Sequence, residues 1–373
     1  MKASSSTLRV GDWVEVLSKE EILRTLDGDG RLEGMPFMPE MFAFCGLRFQ
    51  VHKRAHKTCD TVFPVRGRRV SHAVHLETRC DGSAHGGCQA SCLLFWKDAW
   101  LKPIGDDPVP AEDGSHPELK PAGTAAVAPS CTESCVQAGT LAAHSQGSET
   151  HYVCQATQLP YATTPLEWWD FSQYFEDFTS GNVSLWRIFC GAAYFFFYWL
   201  SRAGIGLGRI IRWSYDHFYP LWGGAPFPRR QGVIPEGDPT PVANLDLQPG
   251  ELVRIRPFKE ILGTLNTRNK NRGLYFDAEE VPYCGETHRV LKRVTKIIHE
   301  KTGKMLEMKT PCFILDAVVC ESRYSECRLF CPRSIYAYWR EIWLERVGPK
   351  RTDSGQKTTE QEVSPCEVAS NGR

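Results

Sequence analysis

The sequence is most informative first in what it lacks. Its opening residues, "MKASSSTLRVGDWVEV", contain no apolar run, so no export signal is visible. Neither sign of charge is in excess, with 44 basic against 44 acidic residues. That balance removes the global electrostatic argument for nucleic acid or a charged bilayer as partner. The uncharged apolar run Ile188–Leu200 has thirteen residues, short of the ~20 that a membrane-spanning helix needs. No nucleophile elbow, Walker loop, H-E-x-x-H or dinucleotide fingerprint occurs. The reading therefore leans away from an enzyme.

Cysteine is abundant instead, with fifteen residues. A chain without an export signal belongs in the reducing cytoplasm, where clustered thiols bind metal or do redox work more often than they cross-link.

The chain also repeats itself. "GDWVEVLSKEEILRTL" from Gly11 matches "GELVRIRPFKEILGTL" from Gly250, an offset of 239 that holds without a gap from Gly11–Arg54 onto Gly250–Arg293, with 15 identities in 44 positions. The matched pairs include Thr25/Thr264, Phe37/Phe276, Glu40/Glu279, Cys45/Cys284, Lys53/Lys292 and Arg54/Arg293. Further on, Cys88 and Cys92 match Cys327 and Cys331 at the same offset, and Cys80 matches Cys320 after a one-residue slip. Trp96 and Trp100 match Trp339 and Trp343 after four inserted residues.

Each module opens on alternating apolar and polar residues, "DWVEV" or "ELVRI", as a half-buried strand does. Ser18 three residues before Glu21 signals a capped short helix. "VTKIIHEKTGKMLEM" reads as a hairpin turning near Gly303, and "CFILDAVVC" as a buried strand. Short strands with tight turns resemble SH3-like small β-barrels. The expected fold is mainly β with some α, as two tandem-duplicated modules at 8–103 and 247–348. Between them lie a disordered Pro/Ala/Ser-rich linker at 104–164, an aromatic helical region at 165–222 and a Pro/Gly linker at 223–246. Residues 1–7 and 349–373 are expected to be disordered ends. The segments "FCG…KR", "RCDGSAHGGCQASC" and "CESRYSECRLFCPRSIY", in that order, resemble an uncharacterised bacterial protein family with a duplicated cysteine-rich module. The resemblance covers nearly all the chain outside the linker and implies no activity.

The repeated cysteines define two candidate four-thiolate sets: Cys45, Cys80, Cys88 and Cys92, and Cys284, Cys320, Cys327 and Cys331. Four soft sulfur donors suit tetrahedral zinc, two ions per chain, and equally an iron–sulfur cluster. Small buried thiols in a core are the plainer account. Additional candidate ligands are Cys59, His72 (which aligns with Cys312), Cys312 and His85. Cys131, Cys135, His151 and Cys154 form a possible third set inside the linker. Lys53, Arg54, Lys292 and Arg293, retained in both copies, are candidate anion-binding residues, with a solvated strand face as the bland alternative.

In the middle, "SLWRIFCGAAYFFFYWLSRAGIGLGRIIRW" (Ser184–Trp213) reads as one helix. On a wheel, Arg187, Arg202, Arg209 and Arg212 fall within an arc of about 80°. With Trp186 and Trp199 as anchors, this helix could lie in a membrane interface, or it could pack between the modules with its arginines outward. The function expected from the sequence is a non-enzymatic, zinc-binding scaffold or interaction protein with a protein partner. The alternatives are an iron–sulfur redox protein or enzyme, and a membrane-peripheral accessory factor held at the inner face of the membrane by residues 184–213.

Overall fold

A computed structural model describes residues 7–62, 65–105, 131–142, 149–204 and 206–348. Residues 1–6 and 349–373, within the expected disordered ends, lie outside the described residues. The architecture is mixed, with short antiparallel strands in several small sheets and helices among them.

The first half is built on Trp13–Val16, which lies antiparallel between Leu101–Ile104 and Arg48–Gln50. The alternation seen in the sequence sets its faces, and Val14 and Val16 are buried. Helix α1 (Lys19–Thr25) follows, capped as its sequence predicts: the Ser18 hydroxyl accepts from the Glu21 amide, and the Glu21 carboxylate accepts from the Ser18 amide. A three-stranded sheet of Lys53–Arg54, Ala73–Arg79 and Leu93–Lys97 completes this half.

The stretch expected as a disordered linker is ordered in its described parts. Helices α2 (Glu133–Ala138) and α3 (Gln155–Ala162) and strand Thr164–Leu166 pack onto the first half, burying Cys131, Val136 and Leu159 in its core. The Gln155 side chain pairs with both the amide and the carbonyl of Phe95, as a neighbouring strand would. Linker composition hid a few well-spaced apolar residues and one amide that together dock the segment. Residues 106–130 and 143–148 lie outside the described residues.

Next come α4 (Ser172–Thr179), α5 (Leu185–Arg202) and α6 (Gly208–Phe218). The single helix expected over 184–213 is broken. Gly204 and Gly206, at φ 73° and 75°, take the left-handed backbone that ends α5 and starts a turn into α6. The two helices pack as a hairpin, and Tyr194 and Tyr215 meet between them at 5.9 Å between ring centroids. Among the described residues no helix is long and apolar enough to cross a membrane. Residues 223–246 contain no helix or strand, yet Ala225 and Phe227 are buried in the second core.

In the second half, Leu252–Ile255 lies antiparallel between Thr287–Ile298 and Leu344–Arg346, with Val253 and Ile255 buried. Helix α7 (Phe258–Leu262) follows it. Thr287–Ile298 and Met305–Leu315 form the long hairpin the sequence predicts. The tail "SIYAYWREIWLERV" gives a short 3-10 turn at Glu341–Trp343 and an edge strand.

Residues matched at the sequence offset make matching contacts in the two halves. The Trp100 indole donates to Thr25 at 3.0 Å, and the Trp343 indole donates to Thr264 at 2.9 Å. Phe37 stands edge-on to Trp100, and Phe276 to Trp343, each at 5.2 Å. Each threonine satisfies the one polar atom of a fully buried ring. Replacing either by valine, Thr25→Val or Thr264→Val, strands a buried donor. Each change is expected to cost about 1–3 kcal/mol in urea unfolding, and matching losses at the two sites would mark their equivalence.

Candidate functional site

The short 3-10 turn Pro39–Phe44 places Glu40 beneath the loop that joins Ala73–Arg79 to Leu93–Lys97. This loop carries "RCDGSAHGGCQASC". It closes on Gly82, at φ 78°, whose carbonyl accepts from the amides of His85 and Gly87 at 3.0 and 2.9 Å. A Cβ on Gly82 would stand 2.1 Å from the Cys88 carbonyl oxygen, so only glycine fits.

Inside the turn, Glu40 Oε1 accepts from the Ala84 amide at 3.2 Å and from the Cys80 thiol at 3.7 Å, and lies 2.7 Å from His85 Nδ1. The other ring nitrogen, Nε2, meets the Val153 carbonyl at 3.0 Å. His85 is buried. Burial pushes the Glu40 carboxyl up, but the hydrogen bond and charge of His85 and the backbone donors bring it net below its ordinary range.

Glu40, Cys80 and His85 each offer one ligand atom, and the three atoms lie within 4.8 Å of one another. Among the described residues no other group of three or more such side chains comes this close. Beside them is a small cavity of ≈ 30 Å³ that Cys80, His85, Cys88, Cys92 and Cys154 line. Burial raises the Cys80 thiol strongly, the Cys92 thiol to about 12 and the Cys154 thiol to about 11. A cation among them would reverse that direction by favouring the thiolates.

The second half keeps the carboxylate and changes the rest. Glu279 accepts from the amides of Arg323 and Tyr324 and from the Ser325 hydroxyl, at 2.8, 2.6 and 2.9 Å. Ser325 thus stands where His85 stands in the first half. The matched pair Glu40/Glu279 is a buried carboxylate that ties down the cysteine loop in each half.

The expected four-thiolate sets are divided. Cys45 and Cys284 follow the two 3-10 turns, where their amides bond to Phe42 and Val281 and their side chains pack on the cores. Neither belongs to a close ligand group. Cys154, grouped by spacing with Cys131, Cys135 and His151, instead shares the cavity with Cys80, Cys88 and Cys92. Cys131 is in the first core, and His151 bonds to the Thr302 carbonyl. Nothing in the spacing reveals that α3 starts against the loop. In the second half Cys327 is exposed, whereas Cys331 is buried beside Cys59. That neighbouring thiol lowers the Cys59 thiol against the effect of burial, helped by Arg333 and Arg328. Cys312 lies in the core with its sulfur 3.3 Å from that of Met308, and His72 is an exposed turn residue at φ 51°. Neither is placed to ligate. Every described cysteine is a free thiol.

The basic quartet is not one surface. Arg54 is buried, with its guanidinium 2.7 Å from Asp98, and Lys53 is largely covered. Lys292 is half-buried and Arg293 exposed on the opposite half. On α5, Trp186 and Trp199 are exposed, and Arg187 pairs with Glu321 at 2.7 Å. Arg202, Arg209 and Arg212 gather at the other end, around the α5–α6 turn.

The cysteine loop also joins the halves. Gln89 Oε1 accepts from the Thr295 and Lys296 amides, Lys296 Nζ donates to the Gly86 carbonyl, and the Ile298 amide lies 3.3 Å from Cys88 Sγ. Arg333 donates to Glu300 at 2.7 Å and to the Cys59 carbonyl at 3.2 Å. The hairpin Thr287–Leu315 therefore packs against the thiol cavity, whose lining includes Ile298. Comparison with protein-family models gives no match for this chain, and comparison with curated proteins gives none.

Replacing Glu40 or Glu279 by alanine leaves several buried donors unpaired and is expected to cost about 3 kcal/mol by urea unfolding. Cys45→Ala and Cys284→Ala should stay within about 1 kcal/mol. A pH signature follows from Glu40. Its folded pKa is lowered, so its stabilisation is complete above the unfolded value of about 4.3 and is lost as pH falls through the folded value. In Glu40→Gln this part of the acid-unfolding curve should flatten.

Proposed function

We propose that the chain is a non-enzymatic, zinc-binding interaction protein built from two copies of one module, only the first of which holds metal. The observation that carries the reading is the closeness of Glu40, Cys80 and His85 beside a cavity lined by three more thiols. The hydrogen bond from His85 Nε2 to the Val153 carbonyl is the support a ligating imidazole normally has, and it leaves Nδ1 to face the ion. Sulfur, imidazole and carboxylate are zinc's usual donors. Cys80, His85 and Glu40 would supply three ligands, and Cys88, Cys92 or Cys154 the fourth. A volume of ≈ 30 Å³ suits one ion better than a cluster or a substrate, which favours zinc over iron–sulfur and a structural role over catalysis. The equivalent site of the second half has Ser325 in place of His85, so one ion per chain replaces the two expected from the repeat.

The duplicated, SH3-like reading of the modules belongs here too. Its support is the recurrence, at an offset of 239, of the opening strand, the two-residue hairpin pairs and the 3-10 turn, together with the matched Thr–Trp bonds. We assign the chain to a reducing cytoplasm, where its thiols remain available as ligands, and to the bacterial family that its cysteine segments resemble.

Purified under reducing conditions, the protein should carry about one zinc per chain and no iron or acid-labile sulfide by elemental analysis. Cys80→Ala and His85→Ala should each lose the zinc, whereas Cys45→Ser and Cys320→Ser keep it. Loss of metal in Cys320→Ser would move the site to the second half. A brown, iron-containing protein would replace zinc by a cluster. Metal-free protein whose stability ignores both chelator and added zinc would end the metal reading.

A further inference from the structure

The helices between the halves expose an unusual amount of aromatic surface. Phe171 at the cap of α4, Phe175 on α4, Phe196 and Trp199 on α5, and Trp213 on α6 are each more than half exposed, at 75, 71, 65, 52 and 65%. Between α4 and α5 opens an apolar groove of ≈ 1020 Å³, lined by Phe171, Phe196 and Trp199 among others. Exposed aromatic rings gathered along a groove and rimmed by charged residues are the kind of patch that marks an interaction surface.

The last turn of α5 divides this groove from a second cavity of ≈ 880 Å³. Trp199, Leu200 and Ala203 face the groove, while Tyr198, Ser201 and Arg202 face the second cavity. Five arginines line the latter: Arg202, Arg209, Arg212, Arg229 and Arg230. Two carboxylates answer them, since Asp216 pairs with Arg230 and Glu326 lies 3.7 Å from Arg202. Arg209 and Arg212 are exposed and have no carboxylate within ion-pair distance among the described residues. The side-chain Nε of Arg229 is buried without a hydrogen-bond partner. Aromatic surface beside surplus guanidinium groups is the composition that binds the headgroup boundary of an anionic bilayer. Rings enter the acyl boundary there, and guanidinium groups pair with phosphate.

We propose that α4, α5 and the turn into α6 dock this protein on an anionic phospholipid surface, with Phe171, Phe196 and Trp199 entering the interface and Arg202, Arg209 and Arg212 holding headgroup phosphates. Charge complementarity selects the bilayer over a second copy, because a symmetric pairing of this face would set the same arginines against each other. The broken helix serves this geometry. A straight helix would carry Arg209 onward past the groove, whereas the turn at Gly204 and Gly206 folds it back beside Arg202. The proposal shares no residue with the metal site, so the two stand or fall separately.

The test uses the full chain in flotation with vesicles of phosphatidylcholine alone or mixed with phosphatidylglycerol. The expected result is flotation with the mixed vesicles, weakened by high salt, with tryptophan emission quenched by brominated acyl chains. Each arginine should contribute about five-fold to the partition constant. Arg209→Glu with Arg212→Glu should therefore weaken binding by about twenty-fold or more, and Phe196→Glu with Trp199→Glu should abolish it. Arg293→Glu, on an exposed strand of the second half, should leave it unchanged. No flotation of the wild-type chain with mixed vesicles would overturn the proposal. So would equal flotation with both vesicle types that ignores the arginine changes. A solution dimer that Phe196→Glu with Trp199→Glu dissociates, without any vesicle binding by the wild type, would assign the face to a second copy instead. Quenching of the wild-type chain needs no variant, so it decides the matter even if a variant misfolds.

Discussion

A buried carboxylate under each cysteine loop is the constraint on which the two halves depend. Glu40 and Glu279 leave water only because each finds several donors from a single loop: backbone amides in both halves, with a thiol and an imidazole added in one and a hydroxyl in the other. A charge so placed is costly without its partners and strongly oriented with them. The loop must therefore return to the same place against the 3-10 turn, whatever its remaining residues are. That freedom lets the first half present Cys80 and His85 beside its carboxylate and the second half a serine.

Much of the fold could be read from the sequence because local rules and the repeat agree. Alternation set the faces of Trp13–Val16 and Leu252–Ile255, Ser18 and Glu21 capped α1, and Gly303 marked the long hairpin. The retained threonines and tryptophans found their explanation in one indole–hydroxyl bond each. Partnership across long separations could not be read. Cys154 reaches the thiol cavity because α3 docks on the first core through apolar side chains and Gln155, and such docking leaves no fixed spacing. Cys45 and Cys284 were retained with the other thiols but pack into cores instead. Retention alone does not separate a ligand from a well-fitted small side chain.

The middle of the chain went astray for a different reason. A helical wheel assumes an unbroken axis, and the arginines aligned on that assumption. Gly204 and Gly206 were present to warn against it, because two glycines separated by one residue late in an apolar helix are a stop signal before they are a packing feature. With the break included, Arg202, Arg209 and Arg212 still meet, but around a turn. Arg187 leaves the group for Glu321 at the far end of α5.

The hairpin that packs against the thiol cavity belongs to the second half, and this has a consequence for biosynthesis. The ribosome makes Cys80, Cys88, Cys92 and Cys154 well before the residues that cover them, Lys296 and Ile298. More than a hundred residues separate Cys154 from its cover, which at synthesis rates of about 5–20 residues per second is a delay of roughly seven to thirty seconds. During that interval the first half can fold with its sulfurs still open to the surrounding pool of ions and oxidants. Completion of the chain then lays the hairpin against these thiols, so the order of synthesis sets how long they stay uncovered.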